Sequence, residues 1–312
     1  PLPLADIRRP ARTIRPYAPR TPVFTSAALD GLSGAHLVFK AENLQKVGAF
    51  KFRGACNAVF SLSEADARRG VATHSSGNHA AALALAARLR GIPAHIVMPE
   101  TAPPVKKAAV AGYGGRSVYC APTQAAREEM LARVVAETGA VFIHPYNDPR
   151  VMAGQGTAAL ELLQQAPGLE IVLAPVGGGG LLSGTAVAVA GLAPGTRVMA
   201  GEPAAADDAW RSLQSGRIEP SLNPQTVADG LRTSLGELTF AVIRRLVERI
   251  LTVEEEAIVA AMRLAWERLK LVIEPSSAVP LAVVLGHPEV FAGRRVGLIL
   301  SGGNVDFDHL PW

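Results

Sequence analysis

The feature that most constrains this chain is an alternation repeated along it: short β-branched runs, each followed by a longer alanine- and leucine-rich stretch. A parallel strand needs a crossover of a dozen or more residues to return to its sheet, and a helix is the usual crossover. Candidate strands are Leu37–Ala41, Val71–His74, Ala94–Met98, Ser117–Cys120, Val141–His144, Ile171–Pro175, Val198–Gly201 and Val296–Leu300. Segments such as Asn78–Arg90 and Ala125–Thr138 lie between them with helical periodicity. The pattern predicts a parallel, doubly wound α/β architecture. The interval from Gly70 to Asn147 holds four strand–helix units of its own. That predicts a small domain over 70–147 inserted into a large, discontinuous one formed by 1–69 and 148–312. Open sheets of this kind bind ligands just beyond the carboxyl ends of their strands.

Composition narrows the function classes. The net charge is +4, but the basic residues are scattered, apart from an N-terminal cluster of Arg8, Arg9, Arg12, Arg15 and Arg20. Aromatics make up only 5%, so the basic stripe interleaved with aromatics that a nucleic-acid surface needs is absent, and the cluster reads as a solvated helix face. No apolar run is long enough to span a membrane and no secretory h-region is present, which predicts a cytoplasmic protein. Cys56 and Cys120 have neither metal-site nor CxxC spacing and read as buried thiols in a reducing compartment. Only six of the 31 basic residues are lysines, so a lysine set among apolar residues stands out.

Four features fall at strand ends. Gly48-Ala49-Phe50-Lys51-Phe52-Arg53-Gly54 opens a helix with a lysine between two phenylalanines. Partial desolvation lowers an amine's pKa and suits it to Schiff-base chemistry, although a snorkelling surface lysine gives the same pattern. His74-Ser75-Ser76-Gly77-Asn78-His79 brings hydroxyls, a glycine and backbone N–H groups to a helix start, either as an anion nest or as a simple cap. Gly177, Gly178, Gly179 and Gly180 follow the Ile171–Pro175 strand and let backbone wrap a phosphate. A dinucleotide fingerprint fails here, because its sixth position is Leu182 or Ser183 in place of glycine. The last strand ends in Ser301-Gly302-Gly303-Asn304, where a hydroxyl can face a heteroaromatic nitrogen without protonating it.

Together these motifs resemble the fold type II pyridoxal 5′-phosphate (PLP) enzymes, in the serine racemase and serine/threonine dehydratase branch, hydroxyaspartate dehydratase-like members included. The resemblance runs from Arg20-Thr21-Pro22 to Asn304-Val305-Asp306, with further matches at Ala153–Thr157, Ala228-Asp229-Gly230 and Ile273-Glu274-Pro275. It implies two open, mostly parallel twisted sheets flanked by helices. It also implies PLP held on Lys51, with Phe50 packed on the ring, Asn78 on the ring hydroxyl, Gly177 to Gly180 on the phosphate and Ser301 at the pyridine nitrogen. Gly230 and Glu274 would border the ring. Ser75, Asn78, His79 and Thr233 would receive the substrate carboxylate, and Arg127 could pair a second carboxylate. Glu202, the Ala206 carbonyl and Asp208 match a divalent-cation loop suited to Mg²⁺, or to Ca²⁺ or Mn²⁺.

The activity so implied is dehydration of a small β-hydroxy amino acid such as serine, threonine or 3-hydroxyaspartate, giving a 2-oxo acid and ammonia. Ser76 matches the second base of the racemases and so permits racemisation, beside dehydration or as the main activity, without deciding between them; phenylserine dehydration is a further alternative. A catalytically silent amino-acid or nucleotide sensor on the same scaffold is the reading from another class, and retention of Lys51, the tetraglycine loop and Ser301 argues against it. The expected partners are an amino-acid substrate and a second copy in a homodimer, with no nucleic acid and no membrane. Departures from the family are Ala49 before Phe50-Lys51, Ala80-Ala81 after His79, and Tyr146 where the mammalian racemase has an asparagine that contacts substrate.

Overall fold

In the computed structural model, which describes residues 5–312, the strands assemble into two sheets. The ten strands are β1 (Val23–Phe24), β2 (His36–Ala41), β3 (Val71–His74), β4 (Ala94–Pro99), β5 (Arg116–Cys120), β6 (Val141–Phe142), β7 (Ile171–Pro175), β8 (Arg197–Pro203), β9 (Arg249–Val253) and β10 (Arg295–Leu300). The larger sheet has the order β1-β2-β10-β7-β8-β9 and the smaller one β5-β4-β3-β6. All pairings are parallel except β1 with β2.

Alternation along the strands shows why both faces are covered. On the larger sheet Val38, Val172, Ala174, Val198 and Ile299 enter one apolar cluster, while Leu37, Phe39, Leu173, Met199 and Leu298 enter the other. The smaller sheet divides likewise, with Val71, Ile96 and Met98 on one face and Ala72 and Val97 on the other. Successive side chains point to opposite faces, so a sheet sandwiched between helices needs apolar residues at nearly every position.

The helix Lys51–Phe60 is fixed from beneath by buried charge. Arg53 is fully buried and bonds Glu42 through Nε at 2.7 Å and Glu161 through Nη2 at 2.7 Å. Lys40, also fully buried, spends its ammonium on Thr21 O, Glu161 Oε2 and Gln165 Oε1, each at 2.7 Å. Gly154 permits close approach of the helix Pro149–Gln165, since a Cβ there would lie 2.6 Å from the Arg53 carbonyl oxygen. The start of the Lys51 helix is thereby held in register with the ends of β2 and β10.

Most strand expectations hold to within two residues, and Asn78–Arg90 is a helix over that span. Two strands, β1 and β9, escape the pattern. β6 is also shorter than Val141–His144, because His144 turns out of the ladder to accept the Tyr146 and Asn147 N–H groups on Nδ1. The N-terminal arginines Arg8, Arg9, Arg12, Arg15 and Arg20 are exposed, and Cys56 and Cys120 are buried and free. Among the described residues, no helix is long and apolar enough to cross a membrane.

Candidate functional site

Parallel strands bring their carboxyl ends to one side, and the four loops singled out in the sequence follow β2, β3, β7 and β10. The lysine loop is stitched to the end of β10. Phe50 N–H donates to Ser301 O at 2.9 Å, Gly303 N–H donates to Gly48 O at 2.9 Å, and Ala49 pairs with Gly302. Val47 takes φ 57°, a left-handed conformation costly for a β-branched residue, and the Asn304 amide donates to its carbonyl at 2.7 Å. Such strain persists only where surrounding bonds over-determine it, as they do here.

Lys51 is half-buried at the first position of its helix. Its Nζ donates to Pro145 O at 2.9 Å and lies 5.3 Å from the centroid of Phe50. Burial draws the amine down to about 8, against an opposing pull from Glu274. The contrast with Lys40 is chemical. That ammonium has three acceptors and is a structural cation, whereas Lys51 has one carbonyl and a reachable neutral form.

The tetraglycine loop is buried and leads into the helix Gly180–Leu192, with Gly179 at φ 87°. Among the described residues, the N–H groups of Gly177 to Gly180 donate to no acceptor of the chain. Four buried donors without acceptors at a helix start form a preorganised anion cradle. Behind it stands the Asp229–Leu231 turn, since a Cβ on Gly177 would meet the Gly230 carbonyl oxygen at 3.2 Å. Ser301 is buried just beyond the end of β10.

Asn78 is fully engaged. Its amide donates to both oxygens of Glu274 at 3.1 Å, and its carbonyl accepts from Asn304 at 2.9 Å. Glu274 is pushed up to about 7 by burial, against the Asn78 bond that stabilises its charge. Ser75, Ser76 and Asn78 are half-buried in the loop after β3. His79 is buried, and burial first, then the Lys51 charge, lowers it to about 3. Its Nε2 faces the Ile143 carbonyl at 3.3 Å, so the neutral ring donates there and leaves Nδ1 an acceptor. The ring therefore has no donor left for a carboxylate; what His79 can offer an anion is its backbone N–H at the helix start.

Arg127 sits on the helix Gln124–Thr138, half-buried, where its charge reaches His74 and Cys120. A cavity of about 400 Å³ opens beside it, walled by His74, Glu128, Leu131, Phe142 and His144. Thr233 is exposed and faces the Tyr146 phenol. In the loop after β8, Glu202 is fully buried and accepts the Ala209 and Trp210 N–H groups at 2.8 Å each. Burial raises Glu202 to about 9 and Asp208 to about 6. Neither carboxylate oxygen of buried Asp208 has a hydrogen-bond partner. Among the described residues, no three His, Cys, Asp or Glu side chains converge, so a cation here would depend on two carboxylates, backbone oxygen and water.

The family model for "Pyridoxal-phosphate dependent enzyme" matches residues 14–302. The chain belongs to the pyridoxal-phosphate dependent enzymes. It is 56% identical over 299 residues to the β-hydroxyaspartate dehydratase of Paracoccus denitrificans (strain Pd 1222), covering 96% of this chain and 95% of that one. Maize serine racemase superposes with a TM-score of 0.96 at 46% identity, over 98% of this chain and 94% of the other. The serine racemase of Dictyostelium discoideum superposes with a TM-score of 0.95 at 46% identity, over 98% and 99%. A solved threonine deaminase, 50% identical, superposes with a TM-score of 0.93 over 98% and 99%. The fold is thus that of the fold type II PLP enzymes, with an amine, an anion cradle and a strand-end hydroxyl on one side of the larger sheet. Sequence patterns did not reveal the Pro145 carbonyl that holds Lys51, nor the placing of Tyr146 against the cradle, because neither follows from a residue's own type.

Proposed function

We propose that this PLP enzyme is a dehydratase of a small β-hydroxy amino acid, releasing a 2-oxo acid and ammonia after hydrolysis. The observation that carries the reading is the half-buried Lys51 amine, lowered to about 8 and held by one carbonyl. Bound PLP supplies an electron sink for charge developing at the substrate Cα. Lys51 Nζ, when neutral, takes the Cα proton. Gly177, Gly178, Gly179 and Gly180 would hold the cofactor phosphate through their N–H groups. Phe50 and Gly230 would wall the ring, Asn78 and Glu274 would meet its hydroxyl, and Ser301 would take its nitrogen. Ser75, the Asn78 and His79 N–H groups and Thr233 orient the substrate carboxylate.

Similarity to the Paracoccus enzyme supports 3-hydroxyaspartate as substrate, with Arg127 toward its second carboxylate; serine and threonine remain in the class. Similarity to serine racemase supports a second reading, inversion with Ser76 Oγ as the base on the opposite face. A panel of L- and D-serine, threonine, 3-hydroxyaspartate and phenylserine, scored for 2-oxo acid and for inversion, decides between them. The proposal expects 2-oxo acid from 3-hydroxyaspartate, and Ser76→Ala should lose inversion while keeping elimination. If no member of the panel gives 2-oxo acid, dehydration is refuted.

Buried Asp208 oxygens without partners, beside Glu202 and the Ala206 turn, suit a divalent cation, and we assign Mg²⁺ there, with Ca²⁺ or Mn²⁺ as alternatives. Thermal stabilisation by Mg²⁺ that vanishes in Asp208→Ala is the expected signature. The two separate sheets support a division into a small domain over 70–147 and a large one from the remainder. A homodimer and a reducing, cytoplasmic setting complete the proposal; the free buried thiols support the latter.

A further inference from the structure

Tyr146 is carried by the smaller sheet and rests on the larger one. It belongs to the short connection between β6 and the helix Pro149–Gln165. Its N–H and that of Asn147 donate to His144 Nδ1 at 3.2 and 2.9 Å, and its ring stands edge-on to His144 with centroids 4.6 Å apart. That ring lies against Gly178, where an added Cβ would fall 2.3–2.5 Å from three of its atoms. A Cβ on Gly180 would meet the Tyr146 Cβ at 3.0 Å. One residue earlier, the Pro145 carbonyl accepts from Lys51. On its other side the phenol faces the Thr233 hydroxyl, and the charge of Asp208 reaches it. One short segment therefore touches the amine and the anion cradle, and its phenol faces Thr233.

We propose that Tyr146 is a positioning residue whose ring closes the tetraglycine cradle around the cofactor phosphate. The inference rests on the PLP reading above. A ring packed on Gly178 keeps water from one wall of the cradle, so that N–H to phosphate bonds form in a less polar setting and hold more tightly. A flat ring is what fits between Gly178 and His144, so aromaticity carries the role. The smaller sheet thus contributes a wall to a cradle built on the larger.

The test is a titration of cofactor-free enzyme with PLP, followed by its visible absorbance. Tyr146→Ala should bind at least roughly tenfold more weakly than wild type, the scale of one lost well-packed contact. Tyr146→Phe keeps the ring, so it should hold PLP within about threefold of wild type. The proposal is overturned by a Tyr146→Ala variant of wild-type affinity, or by a Tyr146→Phe variant as weak as Tyr146→Ala. Should Tyr146→Ala fail to fold, Tyr146→Leu, which keeps bulk without the flat ring, takes its place with a loss still expected. A wild type that forms no cofactor band at all would instead refute the PLP reading.

Discussion

Replacing Gly178 with alanine puts the cradle to a quantitative test. The new methyl would lie 2.3–2.5 Å from Cδ1, Cγ and Cδ2 of Tyr146. Ordinary carbon contacts sit at roughly 3.5–4.0 Å, so ring or loop must withdraw by about 1 Å or more. Gly178 is buried and the ring is backed by His144, which blocks its retreat on that side. Overpacking of this kind costs about 1–3 kcal/mol. Expressed wholly in cofactor binding, that is roughly a 5- to 150-fold rise in the Kd for PLP. Gly195→Ala is the matched control, since a Cβ there meets nothing within 4 Å. The assay is PLP titration of each cofactor-free variant, repeated in a Tyr146→Ala background. There the alanine penalty should fall below about 0.5 kcal/mol, because the clashing ring is gone. A Gly178→Ala enzyme that binds PLP as wild type does, or a penalty unchanged without Tyr146, refutes the reasoning.

Two further predictions follow from the buried charges. Because burial lowers Lys51 to about 8, its neutral, nucleophilic fraction is gained as pH rises through that value. The rate at which cofactor-free enzyme takes up PLP should therefore rise between about pH 7 and 9 and then level; a rate still climbing as for a free amine near pH 10 would contradict the lowered value. Arg53→Ala leaves Glu42 buried without its guanidinium partner, a loss of about 3–5 kcal/mol. At roughly 2–4 °C per kcal/mol, scanning calorimetry should find the melting midpoint about 6–20 °C lower, and a shift under about 2 °C would mean the network is replaceable.

The parts of this molecule legible in its sequence are those where local pattern and burial agree. β7 (Ile171–Pro175) is apolar throughout because both faces are covered, and Asn78–Arg90 ends at Gly91 in a left-handed cap. β9 was hidden because Arg249 and Thr252 interrupt its apolar run and it starts three residues after a helix ends. β1 is a two-residue antiparallel edge with no period to detect. In the site, Lys51, the serine loop, the tetraglycine loop and Ser301 were each ambiguous alone and specific together, since strand ends converge in a parallel sheet. The scarcity of lysines flagged Lys51 but equally Lys40, whose three acceptors only folding reveals. That His79 can meet a carboxylate only through its backbone N–H likewise follows from a tautomer set by the Ile143 carbonyl, which no residue pattern encodes.

The most direct test of the central claim is to reduce the PLP-loaded enzyme with borohydride and map the phosphopyridoxyl label by peptide mass spectrometry. The label should sit on Lys51, and Lys51→Ala should take up none and show no visible cofactor band. A label on Lys40, the other buried lysine, or a band that survives in Lys51→Ala, would contradict the account.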